Sequence, residues 1–255
     1  MRVLEQDAQG PAQARNRGAA AAAADILAFT DADCYPDPGW VEAARRAVGA
    51  ADFVQGAVRP EHDPGVFDRT LTVARKSGLW ESANIVVRRE LFERLGGFEE
   101  WIVPEIGKAF GEDMWLGWRA VRAGAAAVFD AAVSVEHAVF ERGPSGYVDE
   151  RRRLRYFPAA AKRMPELRDG FFYRGVFLSP ATAEFDLAVA GVVIAAARRS
   201  PLPLALAVPF ARRVARRALP YGRRAPLVAA TELTAHAVGL YALARGSVAA
   251  RTPVF

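Results

Sequence analysis

The sequence predicts an α/β fold followed by a helical C-terminal region, and three observations carry that expectation. Short apolar runs of strand type alternate with helical patterns through residues 1–143. Beyond Pro144 the strand signals vanish and arginine-rich helical periodicity takes over. Charge divides in the same region: residues 1–150 hold 16 Lys/Arg against 24 Asp/Glu (net −8), whereas residues 151–255 hold 18 against 5 (net +13). Two regions are therefore expected, 1–143 and 144–255, with different tasks.

Taken in order, Pro11 to Ala24 combines an early proline with strong helix formers and predicts a helix. Ile26 to Phe29 is an apolar run that enters acidic residues, as a buried strand does at a polar edge. Pro36 and Pro38 break the chain before a helix over 39–48. A strand follows over 53–58, then a helix over 66–79, a strand over 83–87, and a helix over 89–95 stopped by Gly96-Gly97. Asp113 to Ala123 predicts a helix ended by Gly124, and 126–129 and 133–135 predict two short strands. In the second region, 186–197, 201–211 and 225–243 are apolar. They are short, or interrupted by Glu232 and His236, for the roughly 20 residues of a membrane span. Helices packed on the domain or lying in a membrane interface are expected instead.

Composition narrows the function classes. A single cysteine, Cys34, excludes an internal disulfide and suits a reducing compartment. The alanine run at 19–24 is too short for a secretory or spanning segment, so the expected location is cytoplasmic, extending to the inner face of the plasma membrane. Arginine far outnumbers lysine, a bias typical of GC-rich bacterial coding. The acidic first half and the lack of aromatic platforms among the arginines argue against nucleic-acid binding. The basic, apolar second half suits an anionic membrane surface.

Two acidic motifs carry the chemistry. Asp31-Ala32-Asp33 ends the first strand, where paired carboxylates can hold a divalent cation at the mouth of an α/β sheet; a solvated turn is the plainer alternative. Glu112-Asp113 opens a helix, where acids are favoured by the dipole even without a catalytic role. His137 follows a strand and is a further candidate ligand, although a lone histidine is more often structural. Trp115 and Trp118 fit either an acceptor groove or the core, and Cys34 fits a small buried filler.

Ala14-Arg15-Asn16, then Asp31-Ala32-Asp33 with Pro36, Pro38 and Trp40, resembles the core signature of family 2 glycosyltransferases, which have the GT-A fold. Ser82-Ala83-Asn84, Arg88-Arg89, Leu95-Gly96-Gly97-Phe98 and Gly111-Glu112-Asp113 continue the resemblance in the family's order across residues 3–140. Arg163 to Leu167 and Gly246-Ser247 are similar to the tail of some bacterial members. The resemblance implies inverting, metal-assisted transfer from a nucleotide-sugar donor, with Asp113 as base and Glu112 beside it. Asp33 would be the direct ligand of Mn or Mg, with Asp31 next to it and His137 as an additional ligand. Arg15, Asn16, Asp31, Asp33, Ser82, Ala83 and Asn84 would line the donor pocket. The implied acceptor is a glycan, glycolipid or polyprenyl-linked molecule, with peripheral membrane association.

The family normally begins with a strand and a Pro-x-Tyr-Asn-like turn that contact the base. Only residues 1–13 precede the Ala-Arg-Asn element here, with Val3-Leu4 as a candidate strand remnant, and a βαβ unit needs about 30 residues. A partial GT-A sandwich is expected, with weakened nucleotide binding and with transfer by this chain in doubt. Two other functions compete. A haloacid-dehalogenase-like phosphatase would use Asp31 as nucleophile with Lys76 and Glu112-Asp113 assisting. A non-catalytic membrane-surface module would rest on the +13 segment.

Overall fold

A computed structural model describes residues 3–7, 9–102 and 110–255. The chain forms two compact units: Met1–Pro64 with Thr70–Phe140, and Gly65–Arg69 with Glu141–Phe255.

The first unit is a layered α/β structure. Its elements are α1 (Pro11–Ala21), β1 (Ile26–Thr30), β2 (Cys34–Pro36), α2 (Trp40–Ala50), β3 (Phe53–Pro60), β4 (Asn84–Arg88), α3 (Arg89–Arg94), α4 (Glu112–Arg122) and β5 (Ala127–His137). The strands form one sheet in the order β1-β4-β3-β5-β2, with β3 and β5 parallel and the other pairs antiparallel. Strand periodicity sorts the core into two faces. Ile85 and Val87 of β4 join Phe53, Leu27 and Phe29 under α1, α3 and α4, whereas Val86 and Val54 join Ala43, Ala44, Ala47 and Val48 of α2.

Three expectations need correction. Residues 66–79 form no helix: Val73 is extended and bridges Val58 through paired backbone hydrogen bonds of 2.8 and 3.0 Å. Thr70, Thr72 and Val73 are β-branched, and the partner supplied by β3 outweighs any local helical pattern. The two short strands expected at 126–135 are one, because a register shift against Gly56/Ala57 absorbs Ala131 to Val133. Val3 and Leu4 adopt no strand.

The second unit is helical: α5 (Pro144–Glu150), a 3-10 segment Arg151–Tyr156, α6 (Phe157–Arg163), α7 (Leu167–Gly170), α8 (Pro180–Arg198), a 3-10 segment Leu202–Ala207, α9 (Val208–Ala218), a 3-10 segment Leu219–Arg224 and α10 (Ala225–Ala250). Val228, Thr231, Glu232, Ala235, Gly239, Ala242, Leu243 and Gly246 form the buried stripe of α10. Gly246 lies against the Arg155 carbonyl, so no side chain could stand there. By contrast α8 buries only Phe185, Ala188 and Gly191, and leaves Val189, Val192, Val193 and Ile194 exposed. By length and composition, α8 and the stretch Leu202–Ala250 are each apolar enough to cross a membrane.

Glycines in the first unit make a testable contrast. A Cβ at Gly117 of α4 would overlap the fully buried Trp80 ring, whereas a Cβ at Gly18 of α1 meets nothing. Gly117→Ala should destabilise the protein by about 1–3 kcal/mol through overpacking. Gly18→Ala should stabilise it by about 0.5–1 kcal/mol through helix propensity. Denaturant titration of both variants checks the pair.

Candidate active site

Strand direction gathers the acidic motifs at one edge of the sheet. Thr30, at the carboxyl end of β1, pairs with Asn84 at the start of antiparallel β4. The ends of β3 and β5 meet where Pro60 pairs with His137, and β2 returns so that Cys34 also faces His137. The Asp31–Asp33 triplet turns between β1 and β2, with Cys34 N–H bonded to the Asp31 carbonyl at 3.1 Å. Such an edge is where open α/β sheets bind ligands.

The two aspartates of the triplet have different partners. Asp31 Oδ1 lies 2.6 Å from Arg15 Nη2, and the other arm of the same guanidinium, Nη1, lies 3.3 Å from Glu112 Oε1. Arg15 stacks over Phe98 at 5.5 Å. One partly buried cation from α1 thus joins the first motif to the second, although 97 residues separate Arg15 from Glu112.

Asp33 turns to His137, with Oδ2 and Nε2 3.6 Å apart. His137 is 5% exposed, and its Nδ1 lies 2.7 Å from the Ala138 carbonyl. A carbonyl only accepts, so Nδ1 carries the proton, and in the neutral ring Nε2 presents a lone pair to the carboxylate. Two electron-rich atoms facing each other suit a shared cation. Among the described residues, donor atoms of Asp33, Cys34 and His137 lie within 4.8 Å of one another. Carboxylate oxygen and imidazole nitrogen fit Mn²⁺, and oxygen fits Mg²⁺; the thiol is a softer donor that neither prefers. Asp31 is outside this group. Sequence reasoning treated Cys34 as filler, and only the β2–β5 register reveals its place.

Asp113 stands at the start of α4, capped by Gly111 in the left-handed region (φ 77°). Its Oδ2 accepts from Ser82 N–H at 3.2 Å and its Oδ1 from Met114 N–H at 2.8 Å. Protein encloses the carboxyl group even though part of the residue reaches solvent. That burial, together with the adjacent Glu112 charge, pushes its pKa up to about 7 against the pull of the two amides. Glu81 adds to the effect. Burial raises Glu81 too, and its Oε2 is buried without a hydrogen-bond partner; no sequence motif had marked this residue.

Other candidates face inward. Asn84 is fully buried, donates to the Ala57 and Val133 carbonyls (2.8 and 2.9 Å) and accepts from Trp40 Nε1 (3.1 Å). Asn16 makes a two-way clamp on the Phe98 backbone, both bonds 2.8 Å. Ser82 and Ala83 are buried, with the Ser82 amide on Asp113. Trp118 belongs to the core, donating to the Gly78 carbonyl and packing edge-on against Trp80. Lys76 bonds the Ala127 carbonyl at the start of β5, the opposite end from His137, which removes it from Asp31 and disfavours the phosphatase assignment.

A mixed sheet between helical layers, with Asp31 and Asp33 just beyond β1, His137 ending β5 and Glu112-Asp113 opening α4, has the layout of the GT-A fold. Comparison with known proteins agrees. Residues 1–98 match the family described as Glycosyl transferase family 2. The mannosyltransferase PcManGT of Pyrobaculum calidifontis, solved in complex with GDP-Man and Mn²⁺, superposes with a TM-score of 0.57 at 22% identity, covering 94% of this chain and 69% of that one. Pre-mycofactocin glycosyltransferases from two Mycobacterium tuberculosis strains, CDC 1551 / Oshkosh and ATCC 25618 / H37Rv, are 31% identical over 147 residues. The match takes up 51% of this chain and 30% of theirs, so the chain spans under a third of the length of these curated relatives. The fold is thus similar to that of a GT-A glycosyltransferase, with the family 2 match confined to residues 1–98.

The raised Asp113 pKa has a consequence for stability. Between its ordinary value of 3.8 and about 7, the folded state holds a proton that the unfolded state has released. The stability contributed by this group is full below the ordinary value and is lost as pH rises through about 7. Asp113→Asn has no such dependence. Its stability relative to wild type should rise by about 1–3 kcal/mol between pH 4 and pH 8, whatever offset the amide introduces. Paired denaturation curves across that range measure it.

Proposed function

We propose that the chain moves a sugar from a nucleotide-sugar donor to an acceptor hydroxyl, with metal assistance and inversion at the anomeric carbon. The observation that carries this proposal is an enclosed carboxyl, Asp113, whose proton affinity sits near neutrality at the sheet edge that also holds the Asp33–His137 pair. A general base works best when its pKa lies close to the working pH.

In this mechanism Asp113 takes the proton of the acceptor hydroxyl as its oxygen bonds to the sugar carbon. The bond from that carbon to the diphosphate oxygen breaks on the opposite face, so one displacement inverts the centre. The amides of Ser82 and Met114 hold the carboxylate in position. Glu112 stays paired with Arg15 beside the base. Asp33 and His137 would hold Mn²⁺ or Mg²⁺, which would supply charge neutralisation on the leaving diphosphate. Asp31, fixed by Arg15, would face the ribose or a metal-bound water. Asn16, Ala83 and Asn84 shape the donor pocket by fixing its walls rather than by side-chain contact with the ligand.

The exposed apolar residues of α8 and the basic C-terminal region support attachment to the inner face of the plasma membrane in a bacterial cytoplasm. A glycan, a glycolipid or a polyprenyl-linked molecule would be the acceptor. GDP-mannose with Mn²⁺, the ligands of the Pyrobaculum neighbour, are the first donor and metal to try.

Release of nucleoside diphosphate from a panel of nucleotide sugars tests the proposal. The rate should climb as pH rises through about 7, because the base acts when deprotonated. Asp113→Asn should lower it by about 10²–10⁴-fold. Phosphate release from simple phosphomonoesters in place of diphosphate release would overturn the assignment. Separately, Asp33→Asn should weaken Mn²⁺ binding, read by calorimetry, by at least the ~10–100-fold that loss of an outer-shell partner costs.

A further inference from the structure

The C-terminal unit contains a cavity of about 700 Å³, within the usual range for small-molecule sites. Arg151, Arg212, Arg213, Arg216 and Arg217 line it, against only two carboxylates, Glu184 and Glu232. Each carboxylate is already committed. Glu184 receives Arg213 through two bonds of 2.6 and 2.7 Å, and Glu232 lies 2.9 Å from Arg217 Nε. That leaves Arg151, Arg212 and Arg216, residues lining one cavity, with no acidic partner among the described residues, although Arg151 lies over the Tyr147 ring at 4.6 Å. Like charges gathered in this way repel unless an anion joins them.

Two further features describe that anion. The first turn of α8, a 19-residue helix, forms part of the wall through Ser179, Ala181 and Thr182, so the positive end of its dipole faces the cavity. The remaining wall is largely apolar, including Leu154, Leu178 and Phe210, with Tyr147 and His236 also lining it. From the cavity α8 runs on into its exposed face of Val189, Val192, Val193 and Ile194. Guanidinium forks match phosphate oxygens in pairs, which a single carboxylate would not saturate across three arginines.

We propose that this cavity is a second binding site, for a phosphate ester carried on an apolar chain. The phosphate sits among Arg151, Arg212 and Arg216 at the start of α8, and the chain lies along the apolar wall toward the exposed face of that helix. This assignment is independent of sugar transfer, because the cavity is built wholly from the C-terminal unit.

Calorimetric titration of the full chain with geranyl phosphate, geraniol and inorganic phosphate, without nucleotide sugar, tests it. Geranyl phosphate should bind at least about tenfold more tightly than either of the others. Arg212→Gln combined with Arg216→Gln should weaken that binding by about tenfold or more. Both residues are exposed, so the fold should tolerate the change. Arg45→Gln with Arg46→Gln, exposed on α2, should leave it unaltered. Equal affinity for geraniol would reduce the site to an apolar slot, and equal affinity for inorganic phosphate would remove the apolar chain; either result overturns the proposal. So does undiminished geranyl phosphate binding by the Arg212/Arg216 variant.

Discussion

Five carboxylates, at positions 31, 33, 81, 112 and 113, belong to one edge of the first unit's sheet, and the guanidinium of Arg15 is what makes two of them compatible. It reaches Asp31 with one arm and Glu112 with the other. The contact ties α1, the turn after β1 and the start of α4 to one point, and it is sheltered enough for the attraction to exceed that of a surface pair. Phe98 covers the guanidinium, and Asn16, one residue further along α1, fixes the Phe98 backbone. The Ala-Arg-Asn element therefore acts as a brace, its arginine on the acids and its asparagine on the loop that shields them.

Much of this edge was legible in the sequence, and the rest was hidden for definite reasons. Asp31-Ala32-Asp33 and Glu112-Asp113 stand out because each follows a strand or opens a helix, and local pattern reports such boundaries well. The Arg15–Glu112 contact spans 97 residues, and no periodicity reports it. Cys34 beside His137 depends on the register between β2 and β5, and β2 is only three residues long. Glu81 carries no motif at all. The missing helix at 66–79 illustrates the general difficulty: apolar residues at helical spacing also serve an extended segment once a neighbour such as Val58 offers its backbone.

The C-terminal unit follows another logic. Its charge and its apolar stretches were plain from composition, but glycine sets how closely its helices approach. A Cβ at Gly191 of α8 would come within 2.6 Å of the Pro203 carbonyl, and Gly246 of α10 meets the Arg155 carbonyl. Backbones pressed together in this way leave little side-chain surface to bury. Beyond Phe185 and Ala188, which pack with Phe210, the apolar side chains Val189, Val192, Val193 and Ile194 of α8 are exposed.

Adjacent acids at the start of α4 meet very different surroundings. Glu112 has a cation 3.3 Å away, the Arg15 guanidinium. Asp113 has no such partner: two amide N–H groups hold its oxygens, its carboxyl is enclosed, and the Glu112 charge is next door. A helix turns about 100° per residue, so neighbours in sequence face different environments. Glu112 is thereby committed to an ion pair, while Asp113 can take and release a proton near pH 7. Exchanging the two residue types would not exchange their roles, because the longer glutamate side chain is the one that reaches Arg15, and the shorter aspartate is the one that fits beneath the Ser82 amide.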